Sequence, residues 1–247
     1  MDEAPEGFSP PKSKPSQPRS SASVMLSRVT GSGHEILMGK RSSELPAFPD
    51  LWSFPGGGVS SVDRKSAEEH PDWFPDKGKG RIATFTLLRE MVEEIGISPD
   101  GIGGFLEVES DVRGRVCEDK SAWMGEVESG TISIGGFDSQ VITDRVTPPQ
   151  SPMRFHNLFF HVALGDSKAE PSFPPSRSEF VEFRWWDPRD IISAWEENKL
   201  HLPPPIVTMF RDLIHEMEGG DLISACNSLA KDPPSGPHRF EYAAGVE

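Results

Sequence analysis

The chain has 247 residues, with 25 basic and 39 acidic side chains and a formal net charge of −14. That length suits one large domain or two small ones with a sizeable core. The acidic balance excludes nucleic-acid binding by phosphate neutralisation alone, which needs a basic face, but leaves a phosphate-bearing ligand open, because a bound divalent cation reverses the local sign. No run approaches the roughly 18 apolar residues of a membrane span. The two cysteines, Cys117 and Cys226, are too distant for a zinc site or a disulfide framework. The chain reads as soluble, reduced and cytoplasmic, with no membrane or nucleic-acid partner expected.

Residues 1–21 are rich in Pro and Ser and hold no aliphatic run. They are expected to form a disordered tail, with structure beginning at Ala22. Val24–Leu26 and Ile36–Met38 flank Gly31-Ser32-Gly33 and predict a hairpin. A Pro-containing loop follows over 45–50, then a short strand over 52–54 ended by Pro55. Gly56-Gly57-Gly58 comes next, where backbone can approach a ligand closely. Residues 64–81 are polar and read as an inserted loop. From Ile82 to Ile95 the apolar spacing becomes helical, and Gly96 stands where a helix end takes a left-handed residue.

The stretch 101–150 is Gly-rich, with short strand-like pieces. Strands are predicted over 155–164 and 180–186. Asp187-Pro188 makes an N-cap and first-turn pair for a helix over 188–198. A second helix opens at Pro203–Pro205, and a third runs over 221–231. Strands interleaved with helices indicate a mixed α/β domain.

The segment Arg89-Glu90-Met91-Val92-Glu93-Glu94-Ile95-Gly96-Ile97 is the most informative. At about 100° per residue, Glu90, Glu93 and Glu94 share one arc of the helix. Like charges at these spacings repel. A hard divalent cation such as Mg²⁺ or Mn²⁺ relieves that crowding, because both prefer carboxylate oxygens. A solvated acidic helix face is the plainer reading of such a cluster taken alone.

The surrounding pattern favours the cation. The segment resembles the second half of the Nudix box, in which Arg-Glu is followed by an aliphatic residue, any residue, Glu-Glu, any residue, Gly and an aliphatic residue. Pro55-Gly56-Gly57 matches the first half. Asp63 stands six residues after Gly57 where the box has Glu, and 25 residues, not seven, separate Asp63 from Arg89. A Phe-Pro-Gly-Gly entry, an Asp there and a long insertion resemble the coenzyme A diphosphatase branch of the family. The segment 153–160 is similar to that branch's Arg-Phe-Asp-Thr-x-Phe-Phe strand, with His156 in place of the Asp.

The resemblance implies an α/β/α sandwich with a mixed sheet over residues 22–217, carrying the 64–81 insertion, and a helical extension and tail over 218–247. It implies metal ligation by Glu90, Glu94, the Gly56 carbonyl and Glu93, the last directly or through water. It implies that Arg89 pairs with a box carboxylate and fixes its rotamer. The substrate implied is a small-molecule diphosphate, with coenzyme A or acyl-coenzyme A leading. ADP-ribose, NADH or another nucleoside diphosphate derivative is the alternative, and a catalytically silent nucleotide sensor is a third reading. The proton of the attacking water would go to a box Glu or to a later loop Glu, for which Glu179 is the first candidate and Glu182 the second. Arg41, Arg154, Phe155 and Gly57 are candidate substrate contacts, with Arg28, Lys40, Trp73 and Phe74 as further cations and walls. The chain ends Gly245-Val246-Glu247, not on a peroxisomal address, which supports the cytoplasmic expectation. A homodimer is allowed by the resemblance, although no motif specifies one.

Overall fold

Residues 16–232, except 32, 47, 75–79, 148–152, 176 and 219, are described by the structure, a computed structural model. The expected tail therefore lies largely outside the described residues. Strand β1 (Arg19–Thr30) starts three residues before the anticipated Ala22. It turns into β2 (Gly33–Arg41) as the predicted antiparallel hairpin, Thr30 opposite Gly33.

Strands β3 (Trp52–Ser53) and β4 (Gly56–Gly58) bracket Pro55. With β7 (Gln140–Val146), β8 (Phe155–Ala163) and β9 (Phe180–Trp186) they complete a seven-stranded sheet ordered β3-β2-β1-β8-β7, with β4 also on β1 and β9 also on β2. Among the described residues only β1 and β8 run parallel, so the sheet is mixed as expected. Two short strands, β5 (Ile97–Pro99) and β6 (Phe105–Glu107), form a separate pair.

Side chains alternate between sheet faces, and this decides the layers. Met25, Ile36, Met38 and Phe159 point to one side. There they meet α5 (Pro188–Glu196), α6 (Pro204–Met217) and α7 (Leu222–Lys231). Asp187 caps α5 through the Arg189 N–H, with Pro188 in the first turn. Asp221 caps α7, whose Leu222, Ala225, Cys226 and Leu229 enter the same core, so this C-terminal helix is continuous with the domain's packing.

Val24, Leu26, Leu37 and Phe160 point to the other side, against α2 (Gly80–Glu90) through Ala83 and Leu87. The second face of α2 is covered as well. Phe85, Leu88 and Val92 pack on α1 (Ser61–Glu69), α3 (Ser110–Glu118) and α4 (Ala122–Glu128) through Ala67, Val112, Val116 and Trp123. Every residue of α2 from Ala83 to Glu90 is buried. The α/β/α sandwich is thus present, with an additional helical layer outside α2.

Two expectations need correcting. The 64–81 segment is not a loop throughout: Ser60 caps α1 by accepting from the Asp63 N–H, Asp63 accepts in return from the Ser60 N–H, and that reciprocal cap starts a helix that runs into the insertion as far as Glu69. Trp73 and Phe74 stand 5.9 and 5.3 Å from Phe85, centroid to centroid, pack into the α1–α4 core and line a depression apart from the box carboxylates, not a wall beside them.

Candidate active site

The site forms where β4 meets the C-terminal end of α2. Gly56 has φ +150°, and a Cβ there would fall 2.2 Å from the Ala22 carbonyl oxygen, so only glycine fits. A Cβ on Gly57 would lie 2.3 Å from Glu90 Oε1. The glycine run thus brings backbone into direct contact with the box carboxylates.

Arg89 organises those carboxylates and is fully buried. Its Nε and Nη2 donate to the two oxygens of Asp63 at 2.8 and 2.9 Å. Its Nη1 donates to Glu90 Oε1 at 2.8 Å and Glu93 Oε1 at 2.9 Å, and Nη2 also reaches the Gly58 carbonyl at 3.3 Å. Asp63, itself fully buried, accepts further bonds from Thr86 Oγ1 and the Ser60 N–H. The Asp in the first acidic position therefore faces the arginine, and helix α1 of the insertion delivers it.

After Glu90 the helix widens into a π-helical turn, Met91–Ile95, ended by Gly96 at φ +69°. Such turns commonly occur at functional sites. Arg113 of α3 donates to the Glu93 carbonyl at 3.1 Å, and also to the Ser172 and Phe173 carbonyls and Ser172 Oγ, each at 2.9 Å. It thereby ties the end of the box helix to the loop that leads to Glu179.

Burial raises the proton affinity of both inner carboxyls. Glu90 is pushed up to about 7 by desolvation, against the Arg89 charge, with Glu93 adding to the rise. Glu94 rises well above the usual carboxylate range through burial, then the charges of Glu90 and Glu179; the Gly56 N–H and Arg41 oppose this. The Gly56 N–H donates to Glu94 Oε2 at 2.5 Å. For Asp63 burial also pushes up, but the Arg89, Ser60 and Thr86 contacts outweigh it and leave the group below its ordinary value.

Among the described residues, no three His, Cys, Asp or Glu side chains already converge on a point that would hold a metal. Arg89 holds Glu90 and Glu93, and the Gly56 N–H holds Glu94. The donor chemistry nevertheless fits a hard cation. Two buried carboxyls that resist ionisation sit against a loop where a single Cβ would fill the space beside Glu90, and carboxylate oxygens are what Mg²⁺ and Mn²⁺ select.

A cavity of about 590 Å³ opens beside the cluster. Glu90, Glu93, Glu94, Gly56, Gly57, Arg41, Phe155 and Glu179 all line it, which joins most of the candidates. Arg41 Nη2 contacts Glu179 Oε2 at 3.1 Å. Arg154 is a correction: it lies outside the lining, donating to the Thr147 carbonyl at 3.1 Å and the Ser16 carbonyl at 2.6 Å. Successive residues face opposite ways near a strand, and here Phe155 takes the cavity side. Arg28 is also elsewhere, paired with Glu35 and Glu170, and Lys40 and Glu182 line a different depression.

His156, where the branch has Asp, pairs with Asp144 at 2.6 Å. Sequence reasoning missed Arg19, Lys120, Arg145, Asn157 and Arg177, all of which line the cavity.

Among the described residues, no helix is long and apolar enough to cross a membrane. Comparison with known proteins agrees with the geometry. The curated relatives include a Caenorhabditis elegans protein named as a nudix hydrolase 7, 29% identical over 194 residues, covering 76% of this chain and 58% of that protein. They also include the acyl-coenzyme A diphosphatase NUDT19 of Xenopus laevis, 23% identical over 223 residues, covering 70% of this chain and 58% of that protein. The chain thus spans less than two thirds of each relative's length. Among solved structures, a NUDIX hydrolase from Alicyclobacillus acidocaldarius superposes with a TM-score of 0.65 at 21% identity, covering 79% of this chain and 90% of that one, a likeness of fold. The family model for the NUDIX domain matches residues 18–204, three quarters of the sequence, and the chain belongs to the Nudix family.

Proposed function

We propose that the chain is a metal-dependent Nudix diphosphatase, with coenzyme A or acyl-coenzyme A as its leading substrate. One observation carries the reading of a hydrolase: Glu90 and Glu94 are buried beside the glycine loop, with Arg89 and Asp63 fixing the cluster. A catalytically silent domain has no use for two desolvated carboxylates against an open cavity. Glu90, Glu94, Glu93 and the Gly56 carbonyl would hold Mg²⁺ or Mn²⁺, with Glu93 or Glu94 turning from its present N–H partner. Bound there, the cation would neutralise diphosphate charge and acidify a water.

The chain's own residues supply positioning and a proton acceptor. Arg89 orients Glu90 and Glu93 without reaching the cavity as a lining residue. Glu179, half-exposed and lining the same cavity as Glu94, is the candidate to take the water's proton. Arg41 fixes that carboxylate and offers its charge to the phosphates. The coenzyme A preference rests on the branch-like motifs, on the printed name of the Xenopus relative, and on a cavity lined by Arg19, Arg41, Lys120 and Arg177.

A panel of diphosphates incubated with Mg²⁺ or Mn²⁺, with products identified, tests this. Coenzyme A should yield 4′-phosphopantetheine and 3′,5′-adenosine bisphosphate, and Glu94→Gln should abolish turnover. Cleavage of ADP-ribose or NADH alone would reassign the substrate. No cleavage across the panel would reject the enzyme.

A further inference from the structure

On the α6 side of the sheet, the cavity floor is a grid set by strand register. Arg19 of β1 lies opposite Phe155 of β8, whose carbonyl accepts from the Thr147 N–H just past β7. One step along, Gly58, Ser21, Asn157 and Arg145 follow one another across β4, β1, β8 and β7. Alternation puts Arg19, Ser21, Phe155, Asn157, Arg145 and Thr147 on one face, and all six line the cavity.

This floor holds polar atoms with nothing to bond. Arg145 is 2% exposed, yet its Nε and Nη1 have no hydrogen-bond partner among the described residues. Its remaining nitrogen, Nη2, donates to Asp212 of α6 at 2.5 Å, so its charge is already matched. Beside it, Asn157 Oδ1 is also buried and unpartnered, while Asn157 Nδ2 donates to Ser23 Oγ at 3.0 Å. A buried polar atom without a partner costs about 1–3 kcal/mol, so three of them on two adjoining residues that line the cavity mark a place for a ligand to complete.

We propose that Arg145 and Asn157 form a subsite that reads the edge of a nucleobase carried by the substrate, with Phe155 in the adjacent row as an apolar wall for the ring. The inference rests on the diphosphatase reading for the substrate's other end. A neutralised guanidinium with two unpartnered nitrogens, next to an unpartnered amide oxygen, offers donors and an acceptor together. That pattern suits an uncharged heterocycle with ring nitrogens and an exocyclic group. A phosphate would bring two negative charges beside Asp212 and the Asn157 oxygen. Arg145 stands three strand spacings from Gly58, ~14 Å, so a nucleoside diphosphate laid across β1 and β8 places its base, not its phosphates, on this row.

The test is binding without metal, which does not require turnover. AMP, GMP, UMP and CMP are titrated calorimetrically against the parent and Arg145→Met, with ribose 5-phosphate and 4′-phosphopantetheine as base-free probes. At least one nucleotide should bind more tightly than ribose 5-phosphate and weaken roughly tenfold or more in the variant, a loss of about 1.4 kcal/mol. Ribose 5-phosphate should be unaffected. Equal weakening of ribose 5-phosphate would identify an anion site, and selective weakening of phosphopantetheine an amide site. Either result, or unchanged nucleotide binding, overturns the proposal. Asn157→Ser leaves the Arg145–Asp212 pair in place and carries the same expectation if Arg145→Met does not fold. Pyrophosphate with Mg²⁺ is titrated in parallel. Its binding should be untouched by both variants and lost in Glu94→Gln, so failure at the diphosphate end is separable from failure here.

Discussion

Replacing Asp63 probes the network that holds the box carboxylates, because this residue is the arginine's principal partner. Asp63 accepts two bonds from Arg89, one from Thr86 and one from the Ser60 N–H, all between 2.8 and 2.9 Å, and both members of the pair are fully buried. Breaking a buried ion pair from one side costs about 3–5 kcal/mol. Glu90 and Glu93 still face Arg89 after the change, which puts Asp63→Ala near the lower end. Asp63→Asn keeps one acceptor oxygen and about half the bonds, so a loss of about 2 kcal/mol is expected. Urea denaturation measures both, and kcat should fall with stability because Arg89 no longer fixes Glu90. A loss below about 1 kcal/mol for Asp63→Ala would refute the claim that this pair anchors the site.

Three further outcomes follow from the geometry. Gly57→Ala drives a methyl group into the Glu90 carboxylate, so kcat/KM should fall roughly 10²-fold while the fold persists; unchanged kinetics would mean that Glu90 is not held against the loop. Glu90 in the folded chain binds its proton up to about 7, against an ordinary value of 4.5. Its contribution to stability is therefore full below pH 4.5 and is lost as pH rises through 7, by about 3 kcal/mol without metal. Glu90→Gln should flatten that slope in metal-free thermal melts, and an unchanged slope would contradict the assignment. Glu179→Gln should lower kcat by about 10²–10⁴ if it accepts the water's proton; a kcat within about threefold of the parent's would move the role to a box carboxylate.

Much of this site was legible because its chemistry is local in sequence. The Glu90–Glu93–Glu94 spacing, the Gly96 stop, the β8 and β9 runs and the Asp187-Pro188 cap each depend on neighbours a few residues away. The π-helical turn was not, since its wider register follows from packing and the Arg113 bonds to a distant carbonyl. Helix α1 carried a readable Ser60–Asp63 cap, but the surrounding charges suggested a loop. Helices α3 and α4 were masked by Gly114 and Gly125 within a Gly-rich stretch. Trp73 and Phe74 could be wall or core on composition alone, and burial against Phe85 decided for core. Arg145 and Asn157 became visible only when register placed three strands side by side.

Crystals soaked in Mn²⁺ and measured at the manganese edge test the central claim most directly. An anomalous peak bonded to Glu90 and Glu94 oxygens beside Gly56, lost in Glu94→Gln, is expected. A peak elsewhere, or none at saturating Mn²⁺ with Glu94 still on the Gly56 N–H, would contradict it.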